Sequence, residues 1–280
     1  MNKTLDFWKG KEGNEYIKRN PLGSANANTA YKEKYGISRT DMNKPFLENI
    51  PRDIKILEVG CSTGAQLDIL IDMGFGEKED NIYGIEPNTM ARHYCLTDTW
   101  YNIINGIGSD IPFKDEYFDL TFTSGVLIHL PEEELEATMK EIYRVTKRWL
   151  WSFEYYNSTR IEIEYRGEMG LLWKDDYAAI YIDLFPDLEL IKEEFYYFEG
   201  DKTKVSTMFL LEKRLDAIAW ESIKCGQLVA MDEYLHIHVA DAEKDQMPIG
   251  MAARDIEKGD FIDYNPKKNT EDILIKTKIK

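Results

Sequence analysis

Short apolar runs, small-residue turns and helically spaced stretches alternate through the first 213 residues. Ile54, Ile56, Leu57 and Val59 make a continuous apolar run, which predicts a buried strand. The run breaks at Gly60, Cys61, Ser62, Thr63 and Gly64 and resumes with helical spacing at Leu67, Leu70 and Ile71. Residues 81–85 predict a second strand, 89–96 a helix, 101–104 a third strand and 118–122 a fourth. Residues 131–145 predict a helix with proline at its start and acids in its first turn, where the helix dipole favours them. Residues 148–154 predict a fifth strand, and 196–198 with 205–211 a closing antiparallel pair. Strands alternating with helices through short turns imply an α/β fold, a doubly wound and mainly parallel sheet.

The flanks are patterned differently. Residues 1–45 are polar and aromatic, with Phe7, Trp8, Tyr16, Tyr31 and Tyr35. Asn20-Pro21 marks a break, and a helix follows, capped near Ser24 or Asn26. This segment either covers a sheet edge or forms a cap over a substrate, with Tyr16, Arg19 and Asn20 as its polar members. After Lys213, residues 227–231, 235–239, 248–252, 255–262 and 273–275 read as strands between turns. The expected organisation is a cap at 1–45, a ligand-binding domain at 46–213, and at 214–280 a linker helix near 215–220 with a small β-rich module. His236 and His238, two apart on a strand, share one face. With no third ligand in view, packing or surface placement is a better reading of them than a metal site.

Composition narrows the partners. The chain has 280 residues, 43% of them apolar, enough for a core. Its net charge of −16 repels phosphates on average, so a nucleic-acid partner is not expected. Cys61, Cys95 and Cys225 are odd in number and lack CxxC spacing, which fits a reducing compartment better than a zinc site or disulfide scaffold. Nowhere is there an 18-residue apolar run. The expectation is a cytoplasmic protein without a membrane partner.

The chemistry gathers at the strand ends. Glycines in the turn after Val59 allow close backbone approach, and the helix behind it presents free N–H groups. No lysine follows Gly64, so this is not a phosphate-cradling loop, and G-x-G-x-x-G is absent too. Either it is an ordinary strand-to-helix turn or it admits a nucleoside-type ligand, with Glu58 placed for a cationic group or a hydroxyl. Glu86 ends the second strand, where two carboxylate oxygens can accept from both ribose hydroxyls.

Glu58-x-Gly60-x-x-x-Gly64 resembles motif I of the Rossmann-like, class I S-adenosylmethionine (SAM) methyltransferases. Their usual run is E/D-x-G-x-G-x-G, with Ser62 here in place of the middle glycine. IPFKDEYFDLTFTSGVLIHL resembles their segment before and through the fourth strand. FWKGKEGNEYIKRN, EYRGEMGLLWKDDYAAIY and FPDLELIKEEFYYF resemble the methylases associated with pseudaminic (nonulosonic) acid biosynthesis, and the resemblance covers about residues 5–213.

The resemblance implies SAM as cofactor. Glu58, Gly60, Cys61 and Gly64 would hold its methionine end, Glu86, Pro87 and Asn88 its ribose, and Gly108 and Ser109 its adenine. Ser124 and Gly125 would close the floor, while Ile107 stands where many relatives place an aspartate. His129 is implied either as a base near the methyl group or as a packing residue capping the next helix. Glu154 and Tyr16 join it as catalytic candidates, and Arg19, Asn20, Tyr155, Arg166, Trp173 and Tyr177 as acceptor-binding ones. Arg166 or Lys174 would grip an acidic group, or else form surface ion pairs. ARDIEKGDFIDYN resembles SAF or β-clip modules, leaving carbohydrate binding, homo-oligomerisation or simple packing as roles for the tail. The expected function is methyl transfer to a small or carbohydrate-linked acceptor. The alternative is a non-catalytic scaffold with the same fold, partnering sugar-biosynthesis enzymes through its tail.

Overall fold

The structure is a computed structural model describing residues 3–20, 23–76, 81–96 and 101–213. Beyond these it describes the backbone of 215–219, 228–231, 236–239, 250–251, 261–264 and 274–276. Four helices come first: α1 (Lys3–Lys9), α2 (Lys11–Arg19), α3 (Gly23–Tyr35) and α4 (Arg39–Leu47). Ser38 starts α4 by accepting the Asp41 N–H at 3.2 Å, a side-chain cap on an otherwise free donor.

The apolar runs then become strands. In order come β1 (Ile56–Val59), α5 (Ala65–Asp72), β2 (Ile82–Ile85), α6 (Thr89–Leu96) and β3 (Asn102–Ile104). They continue with β4 (Phe118–Ser124), α7 (Glu132–Val145) and β5 (Thr146–Tyr155). A two-stranded ribbon, β6 (Ile161–Glu162) with β7 (Trp173–Lys174), precedes α8 (Tyr177–Leu184), β8 (Leu188–Phe198) and β9 (Asp201–Lys213). The seven-stranded sheet has the order β3-β2-β1-β4-β5-β9-β8. β1 pairs in parallel with both β2 and β4, and β5 pairs antiparallel with β9 from Trp149↔Glu212 to Tyr155↔Ser206. The order reverses beside β1, and ligands of open α/β sheets sit at the carboxyl ends of strands flanking such a reversal.

Alternation along β5 separates two cores. Trp151 and Phe153 pack with Met42, Phe46, Leu67 and Phe122 on one face. Leu150 packs with Leu57, Met139, Ile142, Tyr177 and Phe209 on the other. Burial on both faces explains why the central strands read as unbroken apolar runs.

Residues 213–280 form a second compact unit. It holds β10 (Leu215–Ala219), β11 (Leu228–Met231), β12 (His236–Val239), β13 (Gly250–Met251), β14 (Phe261–Tyr264) and β15 (Leu274–Lys276). Their order in a six-stranded sheet is β13-β11-β12-β10-β14-β15. The expected linker helix is corrected here, because Leu215–Ala219 is a strand, paired in parallel with β12 and antiparallel with β14. Leu215, Ala217 and Ala219 alternate, and neighbours on both sides satisfy backbone groups that so short a helix would leave open. His236 and His238 both lie on β12, whereas Pro21, Trp220 and Cys225 fall outside the described residues.

Candidate functional site

The turn between β1 and α5 is forced into a left-handed path. Gly60, Ser62 and Gly64 have φ of +75°, +48° and +81°. A Cβ at Gly60 would meet Val126 Cγ2 at 2.6 Å, so this position must remain bare. Ser62 takes the same kind of conformation with a side chain present, at a cost that glycine would avoid.

This turn borders a cavity of about 440 Å³, within the range of small-molecule sites. Glu58, Gly60, Cys61, Ser62, Glu86, Pro87, Asn88, Gly108, Ser109, Ser124 and Gly125 all line it. Trp8, Tyr16, Asn20, Tyr31, Lys34, His129, Tyr155 and Tyr165 supply further wall. The first three helices thus contribute side chains to the same space as the sheet's strand ends.

Two buried carboxylates dominate the charge. Glu86 Oε2 accepts the Ser62 N–H at 2.9 Å and Oε1 the Asn88 N–H at 2.7 Å. Burial raises its pKa, and those two N–H groups oppose the rise. Glu58 is 2% exposed and its Oε2 has no hydrogen-bond partner. Burial pushes its pKa well up, against the pull of the Arg39 guanidinium. An orphaned buried carboxylate oxygen beside a cavity suits a cationic ligand group, so the residues present fit the methionine end of SAM. Asn88 commits its whole side chain: Nδ2 donates to the Trp8 carbonyl at 2.8 Å and to Asn14 Oδ1 at 3.0 Å, and Oδ1 accepts the Ala91 N–H at 3.0 Å.

His129 ends the tight turn Leu127–His129 after β4. Its Nδ1 lies 2.7 Å from the Leu171 carbonyl, which assigns the proton to Nδ1 and leaves the Nε2 lone pair available. Its ring packs edge-on to Trp8, with centroids 4.5 Å apart. Burial pushes its pKa down to about 4, opposed only by the Leu171 carbonyl. The buried ring is therefore neutral at neutral pH, which leaves it an acceptor at Nε2.

Several expected site residues stand elsewhere. Glu154 is 0% exposed and lies beneath the loop after β4, accepting from Thr123 Oγ1 at 2.8 Å and from the Val126 and Ile128 N–H groups. Burial raises its pKa to about 7 in spite of those donors. Tyr177 starts α8 inside the core, also 0% exposed. Trp173 stacks under Arg160 on β7, with the guanidinium 5.2 Å from its ring centroid. Arg166 sits exposed in the turn where Tyr165 and Glu168 bridge, and Arg19 is exposed in the last turn of α2. None of these five lines the cavity. Gly64 does not line it either but caps α5, where the Tyr101 hydroxyl leaves no room for a Cβ.

Tyr31 and Lys34 were not among the expected residues. They lie three apart on α3, on one helical face, and that spacing of an aromatic and a cation was the available signal. Among the described residues no group of three or more His, Cys, Asp or Glu is placed to hold a metal ion. Nor is any described helix long and apolar enough to cross a membrane.

Residues 57–149 match a family model described as a methyltransferase domain. A sterol 24-C-methyltransferase of Neurospora crassa is 29% identical over 122 residues, 39% of this chain and 31% of that protein. One from Candida albicans is 28% identical over 136 residues, 44% of this chain and 35% of that protein. The chain thus spans about a third of the length of these curated relatives. Among solved structures, a Pyrococcus horikoshii protein superposes with a TM-score of 0.53 at 16% identity, covering 71% of this chain and 99% of that one. Magnesium protoporphyrin IX methyltransferase from Synechocystis, solved with bound SAM, superposes with a TM-score of 0.53 at 12% identity, covering 75% and 95%. The fold is that of the class I methyltransferases.

Proposed function

We propose that this chain is a SAM-dependent methyltransferase acting on a small-molecule acceptor. The observation that carries the reading is one cavity in which two buried carboxylates, Glu58 and Glu86, flank the glycine turn after β1. Glu86, pinned through both oxygens by backbone N–H groups, keeps lone pairs for the ribose hydroxyls. Glu58 offers its unpartnered Oε2 to the methionine ammonium, and a cation there offsets the burial that raises its pKa. SAM supplies an activated methyl group, leaving the protein to align the acceptor and exclude water.

His129 accepts a hydrogen bond from the acceptor's O–H or N–H through Nε2. With a pKa near 4 it orients the nucleophile more than it takes the proton outright. Tyr16 and Tyr155, with Trp8 and Tyr165, wall the acceptor part of the cavity against solvent. We further propose a carbohydrate-linked acceptor, supported by the resemblance of residues 5–213 to nonulosonic acid-associated methylases.

Calorimetric titration with SAM and S-adenosylhomocysteine (SAH) tests the cofactor reading. Micromolar binding of either supports it, and transfer of labelled methyl to a sugar acceptor then supports the finer one. Binding of neither overturns both.

A further inference from the structure

The chain carries 51 acidic residues against 35 lysines and arginines, and its surface lysines find acids easily. Lys3, Lys18, Lys44, Lys140, Lys202 and Lys204 each lie within 3.4 Å of a carboxylate oxygen. Lys34 does not follow this pattern. Among the described residues it is the lysine or arginine that lines the cavity, and it has no ion pair there. Its Nζ donates to Tyr155 Oη at 3.0 Å. It lies 4.4 Å from the Phe198 ring centroid, 4.9 Å from that of Tyr155 and 5.1 Å from that of Tyr35.

Aromatic faces tolerate an ammonium but neutralise none of its charge. Burial lowers the pKa of Lys34, as expected for a cation held away from water without a counter-ion. An ammonium has three donors, and the Tyr155 bond uses one of them. In a chain of net charge −16 an anionic ligand needs a local cation to overcome the general repulsion. Arg39, fully buried, does not line the cavity and spends its charge on protein groups. Arg39 Nη1 donates to Ser124 Oγ at 3.1 Å and to Tyr31 Oη at 2.8 Å, its Nη2 has no partner, and its charge acts on Glu58.

We infer that Lys34 and the Tyr155 hydroxyl form an anion subsite in the acceptor part of the cavity, so that the acceptor carries a carboxylate or a phosphate. The inference rests on the methyltransferase reading, because SAM must fill the Glu58–Glu86 part for the remaining space to belong to the acceptor. The anionic oxygen takes the free N–H donors of Lys34 and the Tyr155 O–H.

The test uses the full chain saturated with SAH. Saturation-transfer difference NMR is recorded with acetate, methylphosphonate and, as a neutral control, acetamide, on wild type, Lys34→Met and Lys34→Arg. SAH affinity of all three proteins is measured by calorimetry. Expected is a signal for at least one anion well above acetamide, reduced fivefold or more in Lys34→Met and retained in Lys34→Arg. SAH affinity should stay within twofold throughout. The stronger of the two anions then distinguishes a carboxylate from a phosphate acceptor. Equal signals for anions and acetamide, or an anion signal unchanged in Lys34→Met, overturn the subsite. A tenfold loss of SAH affinity in Lys34→Met, whether or not Lys34→Arg restores it, reassigns the residue to the cofactor or to folding, and overturns it as well. Wild type that does not take SAH overturns the methyltransferase reading, and this inference falls with it.

Discussion

Glu86 reaches from the end of β2 to the turn after β1, where its Oε2 accepts the Ser62 N–H at 2.9 Å. One carboxylate therefore fixes the glycine turn and faces the cavity. Glu86→Ala removes that brace and the ribose acceptor together. We expect SAM affinity to fall tenfold or more, about 1.4 kcal/mol, in calorimetric titration. Unchanged affinity would falsify the ribose assignment.

Ser62 holds φ of +48°, which costs a residue with a side chain ~1 kcal/mol or more. Ser62→Gly removes that cost, against ~0.4–1 kcal/mol from the freer unfolded chain, for a net gain of roughly 0.5 kcal/mol. Ser62→Val, β-branched at the same φ, should lose stability instead. Urea midpoints of the two variants check the order, and a valine variant as stable as wild type would contradict the strain.

His129→Asn should slow methyl transfer at least tenfold while leaving SAH affinity within twofold. In wild type the rate should be flat near neutrality and fall as the pH drops through about 4, where the ring gains the proton that blocks Nε2. A fully active variant would leave His129 as a packing residue.

Glu154 and His129 pull stability in opposite directions with pH. Glu154 holds its proton up to about 7 when folded, against an ordinary 4.5, so its contribution is present below 4.5 and is lost as the pH rises to about 7. His129 stays neutral down to about 4 when folded, against 6.5, so the unfolded chain gains the proton first and stability is lost as the pH falls from 6.5. Each window is worth at most ~3 kcal/mol, and the two largely cancel in wild type. Glu154→Gln should leave stability rising with pH from about 4.5 to 6.5, as urea melts at several pH values will show. A profile parallel to that of wild type would mean that Glu154 is ionised throughout.

The central strands were legible because burial on both faces writes an unbroken apolar run, as at Ile56–Val59 and Phe118–Ser124. β8 was recognised only at residues 196–198, although it begins at Leu188. As the outermost strand of its sheet it carries Glu189, Lys192, Glu193 and Glu194, which obscure the pattern. Leu215–Ala219 was misread as a helix because five residues carry too little periodicity to separate the two states. At the cavity, the glycine turn and Glu86 announce themselves by residue type and by position at strand ends. Lys34 and Tyr31 do not, because their place depends on how α3 packs, which no local pattern records. Glu154 misleads for the complementary reason: it lies near the end of the right strand, but alternation carries its side chain under the loop and away from the cavity.

Asn88 joins the loop after β2 to the Trp8 carbonyl and to Asn14, with no polar side-chain atom left over. Shifting α1 and α2 would strand a buried amide beside Pro87, and disturbing that loop would loosen the two helices. One amide therefore holds the first two helices against a strand-end loop of the cavity. Asn88→Ala should let α1 and α2 open independently of that loop, read as faster amide hydrogen exchange in the two helices.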